Sequence, residues 1–245
     1  MSRDTTIDQR EVEYYSRIAD TWWDKAGPFW PLHRLNELRV GYILDNLCQH
    51  YDRDSNDPLP LKGLRILDVG CGGGILAESM ARLGAEVTGI DVVERNIYIA
   101  DLHAQSESLP IDYRLCTVAA LSEKNLQYDV VLNMEVVEHV ADVAAFMGDC
   151  CRVTSESGVM FVATINRTLL SWLFAIVGAE YILRWLPRGT HRWSWFRTPA
   201  EIEQLLVENG LSISDSTGVS VNPFNRSLAL TSVTKVNYMV LAKRL

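Results

Sequence analysis

Three ionisable side chains, Glu135, Glu138 and His139, stand together directly after the apolar run Tyr128-Asp-Val-Val-Leu-Asn-Met134. On a helical turn, positions i, i+3 and i+4 share one face, so two carboxylates and an imidazole would converge at the end of a strand. Such a set suits proton transfer at an acceptor oxygen. Its oxygens also suit a hard divalent cation, although a histidine ligand is unusual for magnesium and would admit manganese or zinc. The residues alone leave both uses open. A second constellation lies upstream, where Leu64-Arg-Ile-Leu-Asp-Val69 carries Asp68 near its end and runs into Gly70-Cys-Gly-Gly-Gly74. Gly70, Gly72 and Gly74 stand in GxGxG spacing, which lets a backbone turn tightly and approach a ligand where a Cβ would clash. The next strand-like run, Glu86-Val-Thr-Gly-Ile-Asp91, ends in a carboxylate able to accept both hydroxyls of a ribose. A dinucleotide fingerprint would place its third glycine where Ile75 stands, which argues against a dehydrogenase.

The elements that must position these residues alternate. Strands are expected at 64–69, 86–91, 111–116, 128–134 and 158–164, with helices between them starting near Gly74, Val93 and Val140. Such βαβ alternation implies a parallel sheet with right-handed crossovers and a ligand crevice at the carboxyl ends of the strands. Before the sheet, residues 11–50 show helical spacing broken at Gly27-Pro28 and Pro31, and Asp52 to Pro60 is a polar loop. Residues 1–60 are therefore expected to form a helical cap and linker, and 61–245 the main domain with an insertion at about 166–197. After the insertion, Thr198-Pro-Ala-Glu201 reads as a capping box, with Gly210 ending its helix. Two strands, about 211–220 and 235–242, finish the chain as an antiparallel pair.

With 245 residues, 48% of them hydrophobic, the chain suits one large α/β domain with elaborations. A net charge of −8 disfavours the basic footprint that nucleic acid requires, so no nucleic-acid partner is expected. The five cysteines are odd in number and contain no CxxC, which suggests neither a zinc ribbon nor a disulfide framework. Asp4, Asp8, Glu11 and Glu13 make the start of the sequence read as that of a mature or cytosolic chain. All seven tryptophans lie outside the alternating core, in the cap or the insertion, where they suit a pocket wall, a membrane interface or plain packing. Leu169 to Leu186 is far more apolar than a surface loop, yet Glu180 and Arg184 interrupt it as a membrane span. It reads as a buried lid helix or as an amphipathic element on a bilayer, with Arg184, Arg188 and Arg192 as a basic edge for anionic headgroups.

The glycine turn with Asp68 and Asp91 resembles the first two motifs of the class I S-adenosylmethionine-dependent methyltransferases. That class implies a Rossmann-like α/β fold with a seven-stranded, mostly parallel sheet, here with an N-terminal helical cap and a lid insertion after the fifth strand. Longer stretches are similar to the ubiquinone-biosynthesis O-methyltransferases: Trp22-Trp-Asp24, Pro31-Leu-His33-Arg34, Leu38-Arg-Val-Gly-Tyr42, Leu67 to Met80, Met134-Glu-Val-Val-Glu-His-Val140 and Thr164-Ile-Asn-Arg167. Val177 to Leu183, Pro187-Arg-Gly-Thr-His191, Asn222-Pro-Phe224 and Val236-Asn-Tyr238 extend the likeness to the end of the chain. The resemblance implies methylation of ring hydroxyls on polyprenyl catechol-like intermediates and demethylubiquinol, with magnesium as a further cofactor. Carried over by position, Arg39, Asp68, Gly70, Gly72, Asp91 and Met134 would bind S-adenosylmethionine, and Glu135, Glu138 and His139 would hold the metal and act in catalysis. The implied partners are a polyprenylated phenol or quinol, a membrane surface met through about 169–186, and a ubiquinone-biosynthesis complex. The implied location is peripheral to a membrane: the matrix side of the mitochondrial inner membrane in a eukaryote, the cytoplasm and inner membrane in a bacterium. Two stretches depart from the pattern: His191 to Phe196 lacks the usual acidic residue and lysines, and Cys116-Thr-Val118 lacks the usual acidic adenine contact. Another small-molecule O- or N-methyltransferase, or a non-enzymatic cofactor-binding assembly partner, are the competing readings. The apolar insertion speaks against the first and the retained Glu135, Glu138 and His139 against the second.

Overall fold

A computed structural model describes residues 6–172, 193–222, 225 and 227–245, with Ser194 as backbone only. The strands are β1 (Arg65–Val69), β2 (Glu86–Asp91), β3 (Asp112–Leu115), β4 (Tyr128–Met134), β5 (Thr154–Ile165), β6 (Leu211–Val221), β7 (Leu228–Thr231) and β8 (Asn237–Arg244). They form one sheet in the order β3-β2-β1-β4-β5-β8-β6-β7. The pairs β1·β2, β2·β3, β1·β4 and β4·β5 are parallel, whereas β8 and β6 join antiparallel. This is the expected architecture with one more strand: β7 pairs antiparallel with β6 at the edge. Strand order reverses between β1 and β4, and the carboxyl ends of those two strands open the crevice where such sheets bind ligands.

The helices are α1 (Gln9–Ile18), α2 (Trp30–His50), α3 (Ile75–Arg82), α4 (Glu94–Ser106), α5 (Val118–Glu123), α6 (Val143–Val153), α7 (Leu169–Ser171) and α8 (Pro199–Glu208). Successive side chains of a strand face opposite sides, so Val131 of β4 joins a core with α6 and α8, while Val130, Leu132 and Met134 join another with α2 and α3. Both faces being covered, β4 and β5 read as continuous apolar runs rather than alternating ones. The capping box at α8 forms as read: Thr198 Oγ1 accepts from Glu201 N at 3.3 Å, and Glu201 Oε2 accepts from Thr198 N at 2.8 Å.

Three further elements differ from the sequence reading. α5 was not expected, because its six residues are too few to display a periodicity. The helix expected near Val140 begins at Val143, where Asp142 caps it by accepting from Ala145 N. In the cap, Pro31 does not break a helix but stands in the first turn of α2, where a missing N–H costs nothing. The middle of the insertion, residues 173–192, lies outside the described residues and with it most of the lid reading.

Candidate active site

The glycine turn leaves β1 at the reversal of strand order and feeds α3. Gly70 has φ +66° and a Cβ there would lie 2.7 Å from Val136; Gly72 has φ +54° and a Cβ there would lie 2.4 Å from the Trp22 ring. No other residue suits either position. Asp91, at the end of β2, holds this turn: its Oδ2 accepts from Gly72 N at 2.9 Å and its Oδ1 from Val93 N at 2.8 Å. Asn96 of α4 links the turn to the cap, donating to Asp91 Oδ2 at 3.3 Å while its Oδ1 accepts from Trp22 Nε1 at 2.8 Å. Burial raises the Asp91 carboxyl above the ordinary range, opposed by those N–H donors.

Asp68 stands beside it, 3% exposed, with Oδ2 buried and unpartnered among the described residues. Burial pushes its carboxyl up to about 7 against the pull of Arg39, with Asp91 adding to the rise. An orphan acceptor in a cavity fits a cationic donor, and the ammonium of an amino-acid cofactor is such a group. Asp68 must be charged to pair with it, so cofactor affinity is expected to fall as pH drops below about 7, with proton uptake by the enzyme reversed on binding. Calorimetry in buffers of different ionisation enthalpy checks this; a flat affinity from about pH 6 to 8 would refute it. Without a ligand the sign inverts, because a raised carboxyl makes the folded state lose stability as pH rises from about 4 to about 7.

The second cluster departs from the helical turn expected for it. Glu135 adopts φ +59°, rare for a residue with a side chain, and only Val137–His139 coil, as a 3₁₀ turn. The left-handed step ends β4 and separates Glu135 from a common helical face with the other two. Its Oε1 accepts from buried Arg39 Nη2 at 2.5 Å, and the Glu138 carboxyl lies close enough to interact with it. Glu138 is buried and accepts from Thr164 Oγ1 at 2.7 Å; burial first, then Glu135, drive its carboxyl well above the ordinary range. The oxygens of these two adjacent carboxylates and their mutual repulsion fit a hard divalent cation. His139 does not join them. Its Nδ1 faces Glu11 Oε2 at 3.0 Å and its Nε2 the Tyr15 hydroxyl at 3.3 Å. Among the described residues, no three His, Cys, Asp or Glu side chains gather at metal-binding spacing.

One cavity of about 310 Å³ is lined by all nine residues singled out from the sequence: Arg39, Asp68, Gly70, Gly72, Asp91, Met134, Glu135, Glu138 and His139. The sequence reading missed Glu11, Tyr15 and Asn96, which also line it. Glu11 entered that reading only as one of several N-terminal acids, and nothing in its spacing points across the fold to His139. Arg39, expected to bind the cofactor, pairs with Glu135 and has its Nε buried and unpartnered among the described residues. Trp22, noted as a wall candidate, stacks on Phe29 at 3.7 Å and roofs the glycine turn.

A crevice at the reversal of strand order, a glycine turn and acidic residues ending β1 and β2 define a class I methyltransferase. A methyltransferase-domain family model matches residues 42–215. Among solved structures, magnesium protoporphyrin IX methyltransferase from Synechocystis PCC 6803 with bound S-adenosylhomocysteine superposes with a TM-score of 0.69 at 19% identity, covering 97% of this chain and 100% of that one. The plantazolicin methyltransferase BpumL gives 0.63 at 17% identity, covering 96% and 97%. Sequence relatives are much nearer. The ubiquinone biosynthesis O-methyltransferase of Brucella anthropi is 52% identical over 98% of this chain and 97% of its own length. Those of Sinorhizobium medicae and Methylobacterium nodulans are 52% and 51% identical, each over 98% of this chain and 97% and 96% of their own. The chain belongs to the ubiquinone biosynthesis O-methyltransferase family.

Proposed function

We propose that this protein transfers the methyl group of S-adenosylmethionine to ring hydroxyls of polyprenyl catechol-like intermediates and demethylubiquinol. The observation that carries this is identity of about half, over nearly the whole chain, to relatives named for that pathway and reaction. When bound, the cofactor supplies an electrophilic methyl on a sulfonium. The chain's residues do the rest. Asp68 takes the ammonium, and Asp91 the ribose, alongside Gly70, Gly72, Arg39 and Met134. Holding the two substrates in line supplies on the order of 7–11 kcal/mol of the barrier reduction. A phenol of pKa ~10 is mostly protonated at neutral pH, so its proton must leave as the bond forms. His139 Nε2 takes that proton; the acceptor oxygen gains the methyl, and the C–S electron pair stays on sulfur as the thioether product.

A divalent cation belongs to this reading, with Glu135 and Glu138 as the residues that would hold it. Lowering the phenol pKa by about 3 units would contribute about 4 kcal/mol. Peripheral membrane contact and assembly with other enzymes of the pathway belong to it as well. In support, Leu169 is 82% and Trp172 45% exposed at the start of the insertion, an apolar surface that a lipid-borne substrate would explain. No helix among the described residues is long and apolar enough to cross a membrane.

One experiment tests these parts separately: transfer of labelled methyl to a long-tailed catechol in anionic liposomes and to a short-tailed one in solution, each with and without EDTA. Both catechols should be methylated, the long-tailed one only with liposomes that co-sediment the enzyme. EDTA should lower both rates at least about tenfold, restored by magnesium. Methylation of neither catechol would end the substrate assignment, full activity in EDTA the metal, and absence of liposome binding the membrane contact.

A further inference from the structure

Gly89 stands inside β2 without a positive φ, so its backbone does not require glycine. What it supplies is space. A Cβ there would lie 2.6 Å from Tyr113 Cδ1, 2.7 Å from Tyr113 Cε1 and 3.1 Å from Cys71 Sγ, the close approach that a glycine within a strand marks. Asp68, Gly89 and Tyr113 are neighbours across β1, β2 and β3, so they form one row on one face of the sheet. From the edge strand, the Tyr113 ring crosses Gly89 toward β1. Its hydroxyl ends against the glycine turn, 2.2 Å from where a Cβ on Gly74 would stand.

Two oxygens of this row are buried without a partner among the described residues: Tyr113 Oη and Asp68 Oδ2. Strands about 4.8 Å apart put the two Cα atoms roughly 10 Å apart, a gap that a tyrosine and an aspartate extended toward each other close. The groups acting on the phenol are acidic: after burial, Cys71, Asp68 and Glu78 raise it furthest, so the hydroxyl keeps its proton and stands as a donor among acceptors. An unpaired buried hydroxyl destabilises the free protein, and phenylalanine would fill the same slot without that cost. The donor gains a use when Asp68 carries charge, and a cationic ligand group favours that charge.

We propose that Tyr113 is a positioning residue for the cofactor: it reaches through the slot over Gly89 and donates its hydroxyl to Asp68 Oδ2 when that carboxylate receives the ammonium of S-adenosylmethionine. Tyr113 does not line the cavity, so it acts through Asp68 alone. This role rests on the cofactor assignment made above and on nothing at the acceptor side of the site.

Calorimetric titration of the full-length protein with S-adenosylmethionine, beside thermal melts without it, separates positioning from packing. Tyr113→Phe keeps the ring and removes the oxygen. It should raise the ligand-free melting temperature by about 2–4 °C and raise cofactor Kd on the order of tenfold. Opposite signs are what a donor needed only in the bound state gives. A Kd within about twofold of wild type would reduce the ring to packing and overturn the proposal. A ligand-free melting temperature below wild type would also overturn it, since the hydroxyl would then be paired before the cofactor arrives. Gly89→Ala closes the slot, so it should weaken binding by a similar factor, and adding Tyr113→Phe to it should change Kd by no more than about twofold. Losses that multiply in the double variant would show the two residues acting separately and overturn the slot. Failure of wild type to bind S-adenosylmethionine would end the cofactor assignment itself; binding by wild type with an unaffected Tyr113→Phe would end this role alone.

Discussion

His139→Ala is expected to lower kcat for catechol methylation by about 10²–10⁴-fold while cofactor Kd stays within about twofold. In the cavity the imidazole Nε2 faces a phenolic hydroxyl, that of Tyr15, at 3.3 Å, and its Nδ1 faces Glu11 Oε2 at 3.0 Å. Removing it leaves the acceptor proton without a recipient as the C–O bond forms. The size of the loss should track the acceptor: an electron-poor phenol, ionised at assay pH, needs no base and should lose far less. Steady-state kinetics over a series of substituted catechols provides the measurement. A uniform loss across that series would assign His139 to substrate alignment, and a loss below about threefold would remove it from the chemistry.

Asp91→Ala should weaken S-adenosylmethionine binding by more than tenfold, because a buried ribose that loses a charged acceptor forfeits roughly 1.5–3 kcal/mol. The structure adds a second source of loss. Asp91 also accepts from the backbone N–H groups of Gly72 and Val93, so alanine leaves two donors beside the cofactor turn without their acceptor. Asp91→Asn separates the two contributions, since its amide oxygen can still hold one of those N–H groups. Without ligand it should melt between Asp91→Ala and wild type, and it should still bind cofactor poorly. Calorimetric titration with thermal melts distinguishes these outcomes; an affinity for Asp91→Ala within about twofold of wild type would show that Asp91 serves the turn alone.

What the sequence determined by itself is local in origin. Asp68, the glycine turn and Asp91 were legible because a strand, a tight turn and a helix start are written in neighbouring residues, and the βαβ rhythm then dictates where those strand ends meet. The capping box at Thr198 and Glu201 was legible for the same reason: both partners lie within one turn. The exposed edge strand β7 was not, since four residues flanked by polar chain carry no period long enough to read. Nor was the geometry of Glu135, whose left-handed backbone at φ +59° overrides the helical spacing its neighbours suggest. Only the tertiary structure decided the partners: Glu135 with Arg39 across 96 positions, Tyr15 with His139 across 124, and Glu11 with His139 across 128. A charge can pair with any opposite or hydrogen-bonding group the fold brings near, and sequence spacing constrains that choice only inside a helix or a turn. This half of the cavity is assembled by packing an N-terminal helix over the end of β4, and that contact exists only once the chain is folded.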